Sequence, residues 1–144
     1  SARSQAAMSN EMARDARLGE AETKLDHYMQ QSGVPGLSGG LNALRQQPMA
    51  EREQLASNLE QTNPQAASAV RFANNLDQSR ADQASNPQGH SMQRFLNSAT
   101  EGVRQNGHAA RSWEVAAAKG ASYEGERQKW SAPPPPPAPP DDPQ

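Results

Sequence analysis

The sequence contains no cysteine among its 144 residues. Disulfide bonds, thiolate nucleophiles and zinc sites built on cysteine are therefore excluded. A chain without cysteine fits a reducing compartment and the bacterial periplasm equally well, so this absence does not indicate where the protein works.

Large aliphatic side chains are also scarce. There is no isoleucine, and nine leucines, four valines and two phenylalanines make up only 15 of the 144 residues. That share, about 10%, lies below the roughly 20% under which chains tend to be disordered. Half of the apolar residues are the 24 alanines, which bury little surface each. We therefore expect helices that pack loosely or stay extended, and no compact, independently stable globule.

The chain has no strong excess of either charge and no long apolar run. Fourteen basic residues face 16 acidic ones, for a net charge of −2. No apolar segment approaches the ~18–20 residues that span a membrane. Residues 104–130 are mildly basic, but Glu114, Glu124 and Glu126 dilute that charge. We therefore expect neither nucleic-acid binding nor a membrane span in this chain.

The residues that are present favour helices. Alanine, glutamine, arginine and glutamate are good helix formers and β-branched residues are few, so the chain is predicted to be all-α. An N-terminal amphipathic helix is predicted over 1–31, where larger apolar residues recur at helical intervals: Met8, Met12, Leu18, Leu25, Tyr28 and Met29. Four glycines and one proline in 32–40 predict a hinge. An array of helical segments joined by proline and glycine breaks is predicted over 41–130.

Asparagine followed by proline marks two predicted helix starts within the array, at Asn63-Pro64 and Asn86-Pro87. The second start precedes the clearest amphipathic pattern in the chain, formed by Met92, Phe95, Leu96, Ala99 and Val103. Asn106-Gly107 is predicted to end that helix. A last helix is predicted over 108–130.

The chain ends in WSAPPPPPAPPDDPQ. Consecutive prolines fix φ and remove backbone donors, so 131–144 is predicted to be a disordered polyproline II tail. Proline-rich segments of this kind also bind SH3-like or WW-like grooves. Lys129 is the sole basic residue beside the prolines, so we favour a spacer over a recognition ligand.

No pattern of catalytic, cofactor-binding or metal-binding residues occurs in the sequence. His27, His90 and His108 are too far apart in sequence for a local metal site, and no G-x-S-x-G or HExxH motif is present. Paired carboxylates such as Glu20 and Glu22 lack an apolar neighbourhood that would raise a pKa. We therefore predict a protein that is not an enzyme and needs no cofactor.

Aromatic residues are few and concentrated late in the chain. Trp113, Tyr123 and Trp130 lie in the predicted last helix, and Phe95 lies on the amphipathic face before it. Aromatic side chains dominate the binding energy of protein interfaces. We therefore predict that these four residues contact a protein partner or a second copy of the chain.

Residues 4–33, SQAAMSNEMARDARLGEAETKLDHYMQQSG, resemble the Ser/Gln/Met-rich helical portion in the C-terminal region of TraG-type conjugal transfer proteins. In that portion a polar helix closes on a hydrophobic-x-x-aromatic step, which here is Leu25-x-x-Tyr28. The resemblance implies a periplasmic portion of an inner-membrane protein, with roles in mating-pair stabilisation and entry exclusion. It carries over no individual residue role.

Two other interpretations stay open. A structural or DNA-ejection protein of a tailed-phage virion has a similar composition, and would place the chain in the cytoplasm or the virion. An intrinsically disordered interaction segment with transient helices is the third. The chain begins at Ser1 without an initiator methionine. We therefore expect a fragment or processed product, attached to a membrane-embedded parent if the resemblance to conjugal transfer proteins holds.

Overall fold

The computed structural model describes residues 1–133 and 136–142, and within them the chain is helical and contains no strand. The prediction of an all-α protein is confirmed. Seven α-helices lie in this part of the chain: α1 Ala2–Gln31, α2 Gly40–Arg45, α3 Met49–Leu59, α4 Pro64–Ser85, α5 Ser91–Asn106, α6 Ser112–Ala118 and α7 Ala121–Ser131. None of these helices is both long enough and apolar enough to cross a bilayer.

The first asparagine-proline start is confirmed. The side chain of Asn63 accepts a hydrogen bond from the backbone N–H of Ala66 at 3.1 Å, and Pro64 occupies the first turn of α4. The second start differs from the prediction. Pro87–Gly89 forms a single 3-10 turn, and α5 begins at Ser91 only after His90 has adopted a left-handed conformation with φ 57°. The predicted stop of α5 at Asn106-Gly107 is confirmed.

The last predicted helix is two helices. Lys119 and Gly120 form a turn that separates α6 from α7. Gly120 is buried, and a Cβ placed on it would lie 3.1 Å from the backbone oxygen of Ala117, with Leu96 and the Arg14 side chain in contact beyond it. A small residue is therefore needed where α1, α5 and the α6–α7 corner meet.

The long helix α1 organises the packing of the others. Its N-terminal half runs antiparallel to α7 and its C-terminal half contacts α6 and α2, while α3 packs on α4, and α4 on α5. One continuous apolar core joins these helices, and it includes the fully buried leucines Leu18, Leu25, Leu37, Leu44, Leu76 and Leu96.

The expected loose packing is not confirmed. Buried alanines line the contacts between helices, among them Ala21, Ala66, Ala69, Ala73, Ala116 and Ala117. Small side chains let the axes of packed helices approach closely. Each large side chain can then contact several helices, so fewer large residues are needed to fill the core. The low content of large aliphatic residues therefore does not prevent a continuous core.

Only the second half of the predicted Met/Leu stripe on α1 is buried. Leu18, Leu25 and Met29 belong to the core, whereas Met8 is 61% exposed and Met12 is 70% exposed. Met8 and Met12 are not part of the core cluster, although α7 packs along this half of α1.

The segment predicted as a hinge, 32–40, carries two buried side chains, Val34 and Leu37. Gly33, Gly36 and Gly40 all have positive φ. Directly after Gly40, the backbone N–H of Leu41 donates to Asp26 Oδ1 at 2.9 Å, which connects the start of α2 to α1.

Replacing Gly40 by alanine should lower the free energy of unfolding by about 2 kcal/mol. Its φ of 77° disfavours any side chain, and a Cβ there would overlap the Asp26 carboxylate that accepts from Leu41. Chemical denaturation followed by circular dichroism measures the change. The matched control is Gly19→Ala in the interior of α1, where a Cβ meets nothing within 4 Å. That substitution should stabilise the protein by about 0.5–1 kcal/mol, and equal effects of the two would contradict the argument.

The polyproline II conformation predicted for the tail is not confirmed. Residues 136–142 are exposed and have no helix or strand assignment. Residues 134, 135, 143 and 144, on which the same prediction falls, lie outside the described residues.

Candidate functional site

Two of the four predicted contact residues are largely buried. Phe95 is 8% exposed, and its ring meets Phe72 edge-on, with 5.3 Å between ring centroids. Trp113 is 3% exposed, and its ring lies 5.0 Å from that of Tyr28 at an interplanar angle of 45°. Each ring therefore joins two helices, α4 to α5 and α1 to α6.

The other two predicted contact residues lie on α7. Tyr123 is half-buried, and Trp130 is 37% exposed with the Lys129 ammonium 5.8 Å from its ring centroid. The structure does not gather the four aromatics into one patch, because Phe95 and Trp113 belong to different aromatic pairs. Their role in partner binding stays a prediction.

The largest concave surface formed by Phe95 is a groove between α4 and α5, which we call the α4–α5 groove. Two adjoining cavities of about 350 and 460 Å³ share Asn75, Phe95 and Ser98 in their walls. Further residues along the groove are Glu60, Pro64, Ala67, Ser68, Arg71, Phe72, Gln78, Ser79, Asp82, Ser91, Arg94, Ala99 and Glu114. The floor is aromatic and the rim carries both signs of charge.

A serine and an acid close one end of the groove. The Ser91 hydroxyl donates to Asp82 Oδ2 at 2.9 Å and accepts from Arg94 at 3.2 Å. These bonds tie the first turn of α5 to α4. The hydroxyl thus has a carboxylate and a guanidinium as its partners.

A glutamate without a hydrogen-bond partner lies at the other end. Glu114 Oε1 is buried and bonds to no described residue. The carboxylate lies so close to α5 that a Cβ on Gly102 would be 2.7 Å from Glu114 Oε2. Sequence reasoning missed both residues. A glycine in the middle of the best amphipathic helix was the available signal, because such a glycine marks a close approach.

A buried ion cluster joins α1 to α7. Glu124 is 0% exposed and accepts hydrogen bonds from Arg14 at 2.5 Å, from Arg127 at 2.7 and 3.0 Å, and from Gln128 at 3.2 Å. Burial would raise the pKa of the Glu124 carboxyl, but the hydrogen bonds and charges of Arg127 and Arg14 outweigh it and hold that pKa below its usual range. The carboxylate is therefore ionised and fully paired, as a structural group should be.

A second ion network links α1, α2, α3 and α4. Glu22 bonds to Arg45 at 2.8 Å and to Arg80 at 2.6 Å, and Asp77 bonds to Arg45 at 2.9 Å and to Arg52 at 2.8 Å. Burial works against ionisation of Glu22, yet the bonds from Arg80 and Arg45 keep its pKa lowered. These ion pairs connect four helices, and within the described residues Arg52 Nε is the one buried nitrogen of the network that has no hydrogen-bond partner.

Tyr28 and Trp113 form the aromatic wall of a second concavity of about 470 Å³, which we call the α1–α6 cleft. Its other lining residues are polar, small or basic: Lys24, His27, Gln31, Ser32, Gln65, Ala110, Arg111 and Ser112. Burial raises the pKa of the Tyr28 hydroxyl, with the Arg111 charge opposing it, so Tyr28 is a neutral hydrogen-bonding group.

Histidines and carboxylates do not gather into a common cluster in the described part of the chain. Across 1–133 and 136–142, no three His, Asp or Glu side chains gather closely enough to hold a metal ion. His27, His90 and His108 lie in separate parts of the fold, at α1, before α5 and after α5.

Comparison of the chain with protein-family models, with curated proteins and with solved structures finds no match.

Proposed function

We propose that the chain is a non-enzymatic helical module that binds an amphipathic helix of a partner protein in its α4–α5 groove. The observation that carries this proposal is the groove itself. It is an open concavity whose lining includes the paired rings of Phe72 and Phe95. Amphipathic helices commonly bind in such grooves, with apolar anchors on successive turns.

The dimensions of the groove fit this ligand. It follows α4 from Pro64 to Asp82, eighteen residue steps, or about 27 Å of helix. A partner helix of the same length has five turns and presents an apolar residue at every third or fourth position. The two cavities on either side of Phe95 would each receive such a residue.

The charges on the rim of the groove indicate which residues should lie beside the apolar stripe of the partner helix. Arg71 and Arg94 supply positive charge, whereas Glu60, Asp82 and Glu114 supply negative charge. Glu114 has a buried oxygen without a described donor, and a lysine, arginine or amide on the partner would satisfy it. The expected partner is a helix with one apolar stripe and charges of both signs beside it.

The proposed setting is a bacterial conjugation or secretion apparatus. It follows from the resemblance of residues 4–33 to TraG-type conjugal transfer proteins, which act through contacts with other proteins of the mating machinery. The module would then be a structural part of that apparatus, and the partner helix would belong to another of its components.

Filling the groove should abolish its function without disturbing the core. Ser98 is exposed and lines both cavities, so Ser98→Trp places a bulky ring beside Phe95 while removing no buried group. We expect at least a tenfold loss of plasmid transfer from donor cells that carry the variant, because the anchor residues can no longer enter. Mating frequency measures it.

The matched control is Asn97→Trp, one residue earlier on α5 and exposed but outside the groove walls. It should leave transfer unchanged. A photo-crosslinking amino acid at position 98, but not at 97, should form adducts with a helix of a transfer protein. Equal transfer by both variants, or adducts with capsid or tail proteins, would refute the proposal and, in the second case, support a virion role.

A further inference from the structure

The α1–α6 cleft is basic. Lys24, His27 and Arg111 line it, and no carboxylate is among its lining residues. Among the described residues, neither Lys24 nor Arg111 has an acidic partner within 4 Å, whereas the arginines of the two ion networks are all paired. This concentration of unpaired positive charge indicates an anionic ligand.

The same cleft has an aromatic wall. The rings of Tyr28 and Trp113 pack on each other with 5.0 Å between their centroids, and the half-buried Tyr28 is the ring that stays accessible, because Trp113 is only 3% exposed. Proline rings pack well on tilted aromatic surfaces, and an extended proline-rich segment has carbonyl oxygens free to accept hydrogen bonds from lysine, arginine and glutamine. Gln31 and Gln65 at the cleft provide such donors beside the cations.

The chain itself contains a segment with the complementary chemistry. Residues 136–142 read PPAPPDD, four prolines and an alanine followed by two aspartates, and all seven are exposed. The prolines match the aromatic wall, and Asp141 and Asp142 match Lys24 and Arg111. In the cleft and in the tail segment alike, the residues that would make apolar contacts lie beside the charged ones.

The prolines of the tail fall short of the aromatic ring of the cleft in their own chain. The guanidinium of Arg3 donates to the carbonyl oxygen of Ala132, so the end of α7 lies near the start of α1. From Arg3 to Tyr28, α1 extends about 37 Å at 1.5 Å per residue. The eight steps from Ala132 to Pro140 span at most about 29 Å even when fully extended, whereas Asp142, at most about 36 Å from Ala132, comes within range of Lys24. Only in a second copy can the prolines meet Tyr28 while the aspartates meet the cations.

We propose that the α1–α6 cleft of one copy binds residues 136–142 of a second copy. The two surfaces differ, so each molecule offers one free cleft and one free tail after pairing. Contacts of this head-to-tail kind generate rings or open chains. The contact uses neither Phe72 nor Phe95, so it is independent of the partner helix proposed for the α4–α5 groove.

Sedimentation equilibrium of the full chain tests this contact. The average molar mass should rise with concentration and fall with added salt, because the paired charges are exposed and screened. Reversing the cleft charges with Lys24→Glu and Arg111→Glu should weaken association at least tenfold. The matched control, Lys119→Glu with Lys129→Glu, changes the net charge equally at exposed positions outside the cleft and should leave association within about twofold.

Exchanging the charges of the cleft and the tail between two variants distinguishes a loss of binding from a loss of folding. Asp141→Lys with Asp142→Lys reverses the tail and should also abolish self-association. Mixed with the cleft variant, it restores complementary charge at both contacts, so the mixture should associate although neither variant does alone. A chain that stays monomeric at several hundred micromolar, a control variant as weak as the cleft variant, or a mixture that fails to associate would each overturn the proposal.

Discussion

Replacement of Glu124 by alanine should lower the free energy of unfolding by about 3–5 kcal/mol, since breaking a buried ion pair leaves an uncompensated charge. Glu124 is fully buried between α1 and α7, and it accepts from Arg14 and Arg127, both mostly buried. Without it, Arg127 loses its carboxylate partner and Arg14 keeps only the more exposed Asp15 and Glu11. Urea denaturation followed by circular dichroism measures the loss.

Glu126→Ala is the matched control, since Glu126 lies on the same helix but is exposed. It should change stability by less than about 0.5 kcal/mol. A loss from Glu124→Ala no larger than that of the control would show that the α1–α7 contact does not depend on the ion cluster.

The same carboxylate gives stability a defined pH dependence, which serves as a second readout for the variant. The folded pKa of Glu124 lies below the ordinary value of 4.5, so its contribution is present above that value and is lost as the pH falls through the folded pKa. Wild-type protein should therefore lose stability on acidification below about pH 4.5. The Glu124→Ala variant should lose less over the same range, with Glu22 accounting for part of the remainder.

Leu25→Ala should cost about 2–5 kcal/mol, the range for truncating a fully buried leucine. Leu25 lies at the centre of the core formed by α1 with the surrounding helices, and it is completely inaccessible to solvent. A cavity there cannot be filled without moving α1, which contacts α2, α4, α6 and α7. Thermal or chemical unfolding of the isolated chain measures the change.

Met12→Ala is the natural comparison because the sequence places Met12 and Leu25 on one predicted stripe of one helix. Met12 is 70% exposed, so its truncation should change stability by less than about 0.5 kcal/mol. Similar small effects of both substitutions would indicate that the helices do not share a packed core, as the loosely packed and disordered interpretations of the sequence require.

Much of the secondary structure could be predicted because it depends on neighbouring residues. The Asn63-Pro64 cap starts α4, the period of Met92, Phe95 and Leu96 marks α5, and Asn106-Gly107 ends it. Capping, propensity and steric exclusion act over about one helical turn. The sequence carries this information locally.

The site was only partly predictable. The position of the aromatic residues in the sequence predicted Phe95 and Trp113 as contacts for a partner protein. The rings that they pack against, Phe72 and Tyr28, come from other helices and were not predicted. Gly102 within the amphipathic helix signals a close approach, but nothing in the sequence identifies Glu114 as the residue that it meets. A carboxylate such as Glu124 was interpreted as diluting the basic charge of a solvated face, whereas it neutralises two arginines in the interior.

By itself the sequence determined an all-α protein, the cap that starts α4, the stop that ends α5, and a proline-rich acidic end. Only the tertiary structure decided which half of the apolar stripe on α1 is buried and which charged side chains pair. It also decided where buried alanines let helices pack closely enough to form a core with few large side chains. Arg14 and Glu124 are 110 residues apart in sequence. Burial and ion pairing at such separations depend on how helices are arranged in space, and the strength of a charge interaction depends on the surroundings which that arrangement creates.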